Sequence, residues 1–127
     1  MLPFAIQFKS GKPVYEQVLL AVKRALISGQ LKPGDRFPSV RTLSQELRIN
    51  PNTAHRVIST LIEEGLLKVQ PGVGTTIEQT QPASAQQKQE LLEHEIERLV
   101  VEARMVALEL EDLLPAIQKA WRRLVRE

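Results

Sequence analysis

Residues 39–57 read SVRTLSQELRINPNTAHRV, and this stretch predicts two short helices joined by a tight turn. Ser39 and Asn50 each precede an apolar pattern and can accept hydrogen bonds from the unpaired N–H groups of a first helical turn. Pro51 suits the first position of the second helix. Apolar residues recur at helical spacing on two inner faces: Val40, Leu43 and Leu47, then Ala54, Val57, Ile58, Leu61 and Ile62. Two helices in this arrangement form a helix-turn-helix.

A third helix precedes this pair and a β-hairpin follows it. Residues 13–29, PVYEQVLLAVKRALISG, begin with proline, repeat apolar residues at helical spacing and end on glycine. Residues 32–39, KPGDRFPS, read as a turn, and residues 67–77, LKVQPGVGTTI, read as two short strands around a Pro-Gly turn. Residues 4–8, FAIQF, alternate and predict a further short strand. The expected fold class is mostly α with a small β wing, a winged helix-turn-helix.

The rear of the chain reads as a linker followed by a helical segment. Residues 79–88, QTQPASAQQK, lack apolar periodicity and are rich in Gln, Ser, Thr and Pro, which is typical of a linker. Apolar residues then follow the a and d spacing of a heptad: Leu92, Ile96, Leu99, Ala103, Val106, Leu110 and Leu113. We therefore expect a winged helix-turn-helix domain at residues 1–78, the linker at 79–88 and a short two-helix dimerisation segment at 89–127.

A helix that carries this heptad seam must pack against another helix. One candidate is the chain's own continuation, residues 116–127, and the other is a second chain. Pro115 is the expected bend between two rear helices, and a break near residues 108–109 is the alternative. Trp121, the single tryptophan, suits either a packing anchor in this segment or the lining of a small ligand pocket. The seam residues and Trp121 are the candidate dimerisation residues.

Polar side chains are concentrated at the start of the second helix of the pair. Asn52, Thr53, His55 and Arg56 lie outside its inner face, at the end that enters the major groove of DNA in a helix-turn-helix. Asn can pair with adenine, Arg can pair with guanine, and the Thr methyl can touch the thymine methyl. Free N–H groups at the same helix end can hold a phosphate. The alternative is a solvated first turn capped by Asn50.

Further DNA-binding candidates lie at the start of the preceding helix and in the wing. Arg41 can clamp a backbone phosphate or reach a guanine, and Ser39 and Thr42 can donate hydrogen bonds to phosphate. Capping by Ser39 is compatible with that role. Gly72, and Gly74 beside it, allow the backbone to approach the minor groove or a phosphate closely, although a plain hairpin turn needs only one of them.

Composition and charge narrow the range of functions. There is no cysteine, which excludes disulfides, thiolate zinc sites and thiol catalysis. Residues 1–80 hold ten Lys and Arg against six Asp and Glu, a net +4, whereas residues 81–127 hold seven against nine, a net −2. A polyanion is therefore expected to bind residues 1–80. The alternative is that the charge imbalance is a chance fluctuation. The first twelve residues lack the pattern of a signal peptide, and no apolar run approaches the roughly 20 residues of a membrane span, so we expect a cytoplasmic protein without a membrane partner.

Catalytic and metal-binding patterns are missing from the sequence. His94 lies in HEIER, which lacks the second His of a zinc-protease motif, and His55 has no companion ligand. A Gly-rich phosphate loop and an arguable Ser-His-Asp set are also absent. We expect no cofactor, no metal and no enzyme activity, and read His94 as part of a solvated helix face.

The motifs GQLKPGDRFPSVRTL (29–43), NPNT (50–53), LIEEGL (61–66) and GVGT (72–75) together resemble the DNA-binding domain of GntR-type bacterial transcriptional regulators. The resemblance covers about half the chain, and the short rear is similar to the YtrA subgroup, in which two helices mainly dimerise the protein. It implies DNA contacts by Arg41, Asn52, Thr53, Arg56 and Gly72. Many members carry Arg at positions 51 and 55, so their base preference does not carry over. The subgroup often has Gly and a small polar residue where Ala107-Leu108-Glu109 stands.

Three functional hypotheses follow. The leading one is a homodimeric, sequence-specific transcriptional regulator, a repressor that binds double-stranded DNA at an inverted repeat, with an unknown small-molecule effector as a further partner. The resemblance adds a transporter operon as the expected target. The second is a protein-interaction module whose winged helix and heptad helix recruit other proteins, and the third is a metal-dependent or small-molecule enzyme.

Overall fold

The computed structural model describes residues 1–79 and 81–124. The described residues divide into a front unit, residues 1–79, and a rear unit, residues 81–124. The front unit runs in the order helix, helix, helix, strand, strand, which confirms the mostly helical winged helix-turn-helix fold. Its elements are α1 (Val14–Ser28), α2 (Val40–Leu47), α3 (Pro51–Glu63), β1 (Leu67–Gln70) and β2 (Gly74–Ile77).

Capping side chains fix the tight turn between α2 and α3. The Ser39 hydroxyl accepts a hydrogen bond from the N–H three residues ahead at 3.1 Å, and the Asn50 carboxamide oxygen accepts one from the N–H two residues ahead at 2.8 Å. α2 ends at Leu47, because Arg48 adopts a left-handed conformation with φ 55°. The two helix starts are therefore set by local backbone chemistry, as the sequence predicts.

The three helices of the front unit meet in an aliphatic core. Side chains without solvent exposure form its centre: Val18, Val22, Leu43, Val57 and Leu61. Each stabilises the fold by about 1.5–3 kcal/mol relative to an exposed side chain. Ile62, assigned to the inner face of α3, lies at the margin instead, since it is 37% exposed, and Val14 at the start of α1 is 38% exposed. The core holds α3 against both α1 and α2, so the starts of α2 and α3 keep a fixed spacing.

The wing is a two-stranded antiparallel hairpin that is also bonded to the segment before α2. Leu67 lies opposite Ile77 in the register of β1 and β2. The Phe37 N–H donates to the Thr75 carbonyl at 2.8 Å, and the Gly34 N–H donates to the Ile77 carbonyl at 2.9 Å. Residues 34–37, within the stretch expected to form only a turn, thus line the free edge of β2. This pairing ties the wing to the start of α2.

The predicted strand at residues 4–8 is wrong. Residues 1–12 form no strand in the structure. Phe4 is buried and its ring stacks on Phe37, with ring centroids 6.0 Å apart and planes at 5°. Ile6 packs partly against the core, while Phe8 is exposed. The free edge of β2 is already taken by residues 34–37, so residues 4–8 do not pair there, and Phe4 and Ile6 pack onto the core instead.

The rear unit consists of helical segments with little buried surface. They are α4 (Ala85–Glu90), a π-helical turn (Leu91–Glu95), α5 (Ile96–Met105) and α6 (Leu110–Arg123). Ser84 and Gln87 form a capping box at the start of α4. Of residues 81–124, Ala103 alone is buried. The π-helical turn shifts the angular phase of the apolar residues between Leu92 and Ile96, so the predicted seam does not continue along one regular helix.

The rear helices separate before Pro115, so the expected bend at Pro115 is wrong and the alternative break near residues 108–109 is confirmed. The Leu108 N–H donates to the Ala103 carbonyl at 3.0 Å, and Ala107 has φ 62°, which closes α5. Glu109 then begins α6 through a capping box with Asp112. Pro115 lies inside α6, because the cap starts the helix upstream of it and the missing N–H leaves only one carbonyl unbonded.

We expect Ala107→Gly to raise the free energy of unfolding by about 0.5–1 kcal/mol. A left-handed backbone is costly for alanine and not for glycine, although glycine gains entropy in the unfolded chain. Ala116→Gly is the matched control, because residue 116 lies in α6 and glycine there should destabilise by about 1 kcal/mol. Denaturant unfolding of both variants at one protein concentration measures the difference. A loss of stability in Ala107→Gly would contradict the assigned turn.

Candidate nucleic-acid interface

The side chains at the start of α3 are available for contact. Asn52, His55 and Arg56 are exposed, and Thr53 is half-buried. Among the described residues, the side chains of Asn52, Thr53 and His55 have no hydrogen-bond or ion-pair partner, while Arg56 contacts an aromatic ring. The structure therefore brings all four candidates onto the first two turns of α3, with their polar groups free to bind a ligand.

The backbone at the same helix end offers fewer donors than expected. Pro51 has no N–H, the Asn52 N–H donates to the Asn50 side chain, and the Ala54 N–H donates to the Asn50 carbonyl at 3.1 Å. In the described part of the chain, only the Thr53 N–H in this turn has no partner. A phosphate at α3 can thus use a single backbone donor, and the side chains must supply the other contacts.

The start of α2 is better suited to an anion. The Ser39 hydroxyl accepts from the Thr42 N–H and donates to the Thr42 hydroxyl oxygen at 3.1 Å, so its proton is engaged. The Thr42 hydroxyl keeps its own proton for another acceptor. Within residues 1–79, the N–H groups of Val40 and Arg41 and the Arg41 guanidinium have no partner. Of the candidates here, Arg41 and Thr42 are free donors, and Ser39 acts as a cap.

The tip of the wing has open space beside its backbone. Gly72 has φ 78°, follows Pro71, and lies in a turn closed by the Val73 N–H donating to the Gln70 carbonyl at 3.0 Å. These features match a type II turn, which needs a positive φ at this position. A Cβ added to Gly72 would meet no atom within 4 Å. The backbone at Gly72 can therefore approach a second molecule closely.

An aromatic residue of α1 lies against α3. The Arg56 guanidinium carbon is 3.9 Å from the centroid of the Tyr15 ring. The Tyr15 hydroxyl is hydrogen-bonded to the Thr60 hydroxyl at 2.7 Å. The sequence interpretation missed Tyr15 as a site residue. The available signal was an aromatic residue in the first turn of α1 that falls outside the apolar spacing of that helix.

The loop before α1 is also ordered by hydrogen bonds and carries two lysines. The Gln17 side chain accepts from the Lys9 N–H at 2.8 Å and donates to the carbonyls of Lys9 and Lys12 at 3.1 and 3.0 Å. Both lysines are exposed. Their presence in the short run KSGK was visible in the sequence, but the interaction with Gln17 that fixes the loop was not.

Among the described residues, two lysines of the front unit are paired with glutamates, whereas the arginines at the helix starts are not. Lys23 pairs with Glu64 at 3.0 Å, and Lys68 pairs with Glu78 at 3.5 Å. Within the described residues, Arg41 and Arg56 have no carboxylate partner. An uncompensated guanidinium on a surface is suited to phosphate or to a guanine edge. The other Lys and Arg side chains of residues 1–79 also lack a carboxylate partner, so Arg41 and Arg56 are distinguished by their positions at the starts of α2 and α3.

The apolar residues of the rear unit are exposed to solvent in the single chain. Leu92, Ile96, Leu99, Val106 and Leu110 are 39–69% exposed, whereas Ala103 is buried and Leu113 half-buried. α6 does not pack along α5. The exposed apolar stripe of α6, which we call the α6 stripe, consists of Leu110, Leu114, Ile117 and Trp121. The sequence interpretation missed Leu114 and Ile117, because it continued the heptad count through the break at residues 106–109.

His94 belongs to a solvated helix face. Its Nδ1 lies 2.6 Å from the Glu90 carboxylate, and this hydrogen bond and the negative charge raise the pKa of His94. The described residues contain no group of three or more His, Cys, Asp or Glu side chains placed to hold a metal ion. Among the same residues, no helix has the length and hydropathy needed to cross a membrane.

Comparison with known proteins connects this geometry to a family. Residues 14–77 match the family described as bacterial regulatory proteins, gntR family. The chain is similar to the HTH-type transcriptional repressor YtrA of Bacillus subtilis (strain 168), with 33% identity over 106 residues, which cover 83% of this chain and 82% of the relative.

Two solved structures share the fold. A transcriptional antiterminator from Listeria monocytogenes EGD-e superposes with a TM-score of 0.81 at 22% identity and covers 98% of this chain and 93% of its own. YtrA from Sulfolobus acidocaldarius, a GntR-family transcription factor, gives a TM-score of 0.52 at 22% identity, with 94% and 97% of the two chains covered. At such identities the likeness concerns the fold alone.

Proposed function

The chain belongs to the GntR family of bacterial regulatory proteins, and from this membership we propose that it is a homodimeric repressor that binds an inverted-repeat operator. GntR proteins are DNA-binding transcription regulators and not enzymes. We propose a DNA-binding domain at residues 1–78, a linker at 79–88 and a dimerisation segment at 89–127. The similarity to a protein named a repressor favours repression over activation.

The observation that carries the proposal is the set of free donors at the starts of α2 and α3. Arg41 and Thr42 at α2 suit a backbone phosphate, and Asn52, Thr53 and Arg56 at α3 suit base edges in the major groove. Gly72 in the wing suits a close backbone contact with the minor groove or a phosphate. Ser39 caps α2 and positions this end of the helix, and His55 is exposed beside the base-reading residues.

Dimerisation through the rear unit is supported by its uncovered apolar surface. α5 and α6 do not cover each other, so their apolar residues have no partner helix among residues 81–124 of the rear unit. Contiguous exposed apolar surface marks sites of association. Two packing partners are possible for the heptad seam. The chain's own C-terminal helix is therefore disfavoured, and a second copy of the chain is favoured. The proposed contact residues are the predicted seam and Trp121, together with Leu114 and Ile117.

A dimer would place two α3 helices in successive major grooves on one face of DNA. Centres of half-sites would then lie about 34–36 Å apart. Such a protein acts on chromosomal DNA in the cytoplasm. A small molecule that alters the separation of the two DNA-binding domains would control it, and the resemblance to the YtrA subgroup makes a transporter operon the expected target.

Selection of bound DNA from a random pool with the purified protein tests this function. We expect enrichment of one inverted repeat, with binding that weakens linearly on a log–log plot against salt as counterions are released. Lys23→Gln is a control variant. It removes a positive charge that already pairs with Glu64, so the variant should select the same sequence as the original protein. If no sequence is enriched even in dilute salt, the protein-interaction alternative replaces the proposal.

A further inference from the structure

Tyr15 connects α1 to the DNA-reading side of α3. It is half-buried in the first turn of α1. Its ring lies under the Arg56 guanidinium, at 3.9 Å from the guanidinium carbon to the ring centroid. Its hydroxyl is bonded to Thr60, which stands one turn after Arg56 on the same face of α3. Tyr15 thus contacts α3 at two points, through its ring face at Arg56 and through its hydroxyl at Thr60.

The stacked arrangement restricts the guanidinium while leaving its hydrogen-bonding edge free. The five N–H donors of arginine lie in the guanidinium plane, so a ring against one face blocks none of them. A free arginine side chain carries about 2 kcal/mol of rotamer entropy, part of which is lost on binding. Stacking on tyrosine removes some of that freedom before DNA arrives, which lowers the cost of forming a bidentate contact.

The Tyr15 hydroxyl is hydrogen-bonded to the Thr60 hydroxyl, and either group can be the donor. The hydroxyl therefore contacts α3, and the ring face contacts a cation that has no carboxylate partner among the described residues. Arg98 of α5 provides a contrast, because it lies near Glu95 and Glu102 rather than an aromatic ring.

We propose that Tyr15 is a positioning residue that holds the Arg56 guanidinium plane for bidentate recognition of a guanine edge. The inference rests on the proposed function and assigns a role to a residue that does not itself touch DNA. The ring is held by its packing against the core of the front unit, it restricts the guanidinium, and the guanidinium reads the base.

A double-mutant cycle on affinity for the selected operator tests the proposal. We expect Tyr15→Leu to weaken binding about three- to tenfold, by removing the cation–π contact. The same change in an Arg56→Ala background should have no further effect, because the group being positioned is gone. Tyr15→Phe keeps the ring and should remain within about twofold of the original protein.

A measurement on the free protein checks the stack independently of DNA. The Arg56 δ-methylene protons should show an upfield ring-current shift in the original protein and in Tyr15→Phe, and lose it in Tyr15→Leu. A protein that shows no such shift, or equal losses from Tyr15→Leu with and without Arg56, would overturn the positioning role. If the original protein selects no DNA, the proposed function fails as well, whereas bound DNA with additive losses rejects the role of Tyr15 alone.

Discussion

Leu114→Glu is expected to convert the protein to monomers and to weaken operator binding by about 100-fold or more. Leu114 lies in the middle of the α6 stripe and is 49% exposed in the single chain, so a charge there leaves the fold of the protomer intact. In a dimer the same carboxylate would be buried without a partner, which costs about 3–5 kcal/mol. Since each 1.4 kcal/mol is tenfold, association would fall by two or more orders of magnitude.

The loss of DNA binding follows from the loss of the second reading head. Two domains held together bind two half-sites with an effective concentration that separate domains lack. Sedimentation and operator titration of the same samples measure both effects. Ala116→Glu adds the same charge on the far side of α6, at about 3.6 residues per turn, and should remain dimeric with unchanged affinity. A Leu114→Glu protein that stays dimeric would show that another surface joins the two chains.

The parts of the fold that the sequence predicts are those fixed by local chemistry. Ser39, Asn50 and Pro51 set the starts of α2 and α3 by capping and by a missing N–H, and these effects act within one helical turn. The strand expected at residues 4–8 failed for a non-local reason. Alternating residues can pack onto a core without a ladder partner, and only the folded chain shows that residues 34–37 already occupy the edge of β2.

The rear unit shows a second limit of sequence patterns. A heptad count assigns residues to the wrong helix face once the regular helix is interrupted. The left-handed Ala107 and the π-helical turn are two such interruptions. The α6 stripe was therefore assigned only in part. At the site, residue types in α2 and α3 were readable, but the contact of Tyr15 with α3 joins positions 45 residues apart. No local pattern specifies such a contact.

Arg56→Ala is expected to weaken operator binding by about 1–3 kcal/mol for each half-site and to relax specificity at one base pair. A bidentate arginine discriminates guanine from the other bases, so its removal should lower affinity for the selected operator far more than for operators changed at that base pair. Titration of the variant against a set of single-base operator changes measures this. Equal losses on all sequences would show that Arg56 contacts the backbone instead.

Arg41→Ala provides the contrast that separates the two roles. Arg41 lies beside two unpartnered N–H groups at the start of α2, where a phosphate contact is favoured. Its loss should weaken all sequences alike and reduce the slope of log affinity against log salt by about one for each protomer. Both variants remove one unpaired guanidinium, so their difference in specificity comes from position alone. If Arg41→Ala leaves the salt slope unchanged and relaxes the base preference, Arg41 reads a base and does not contact a phosphate.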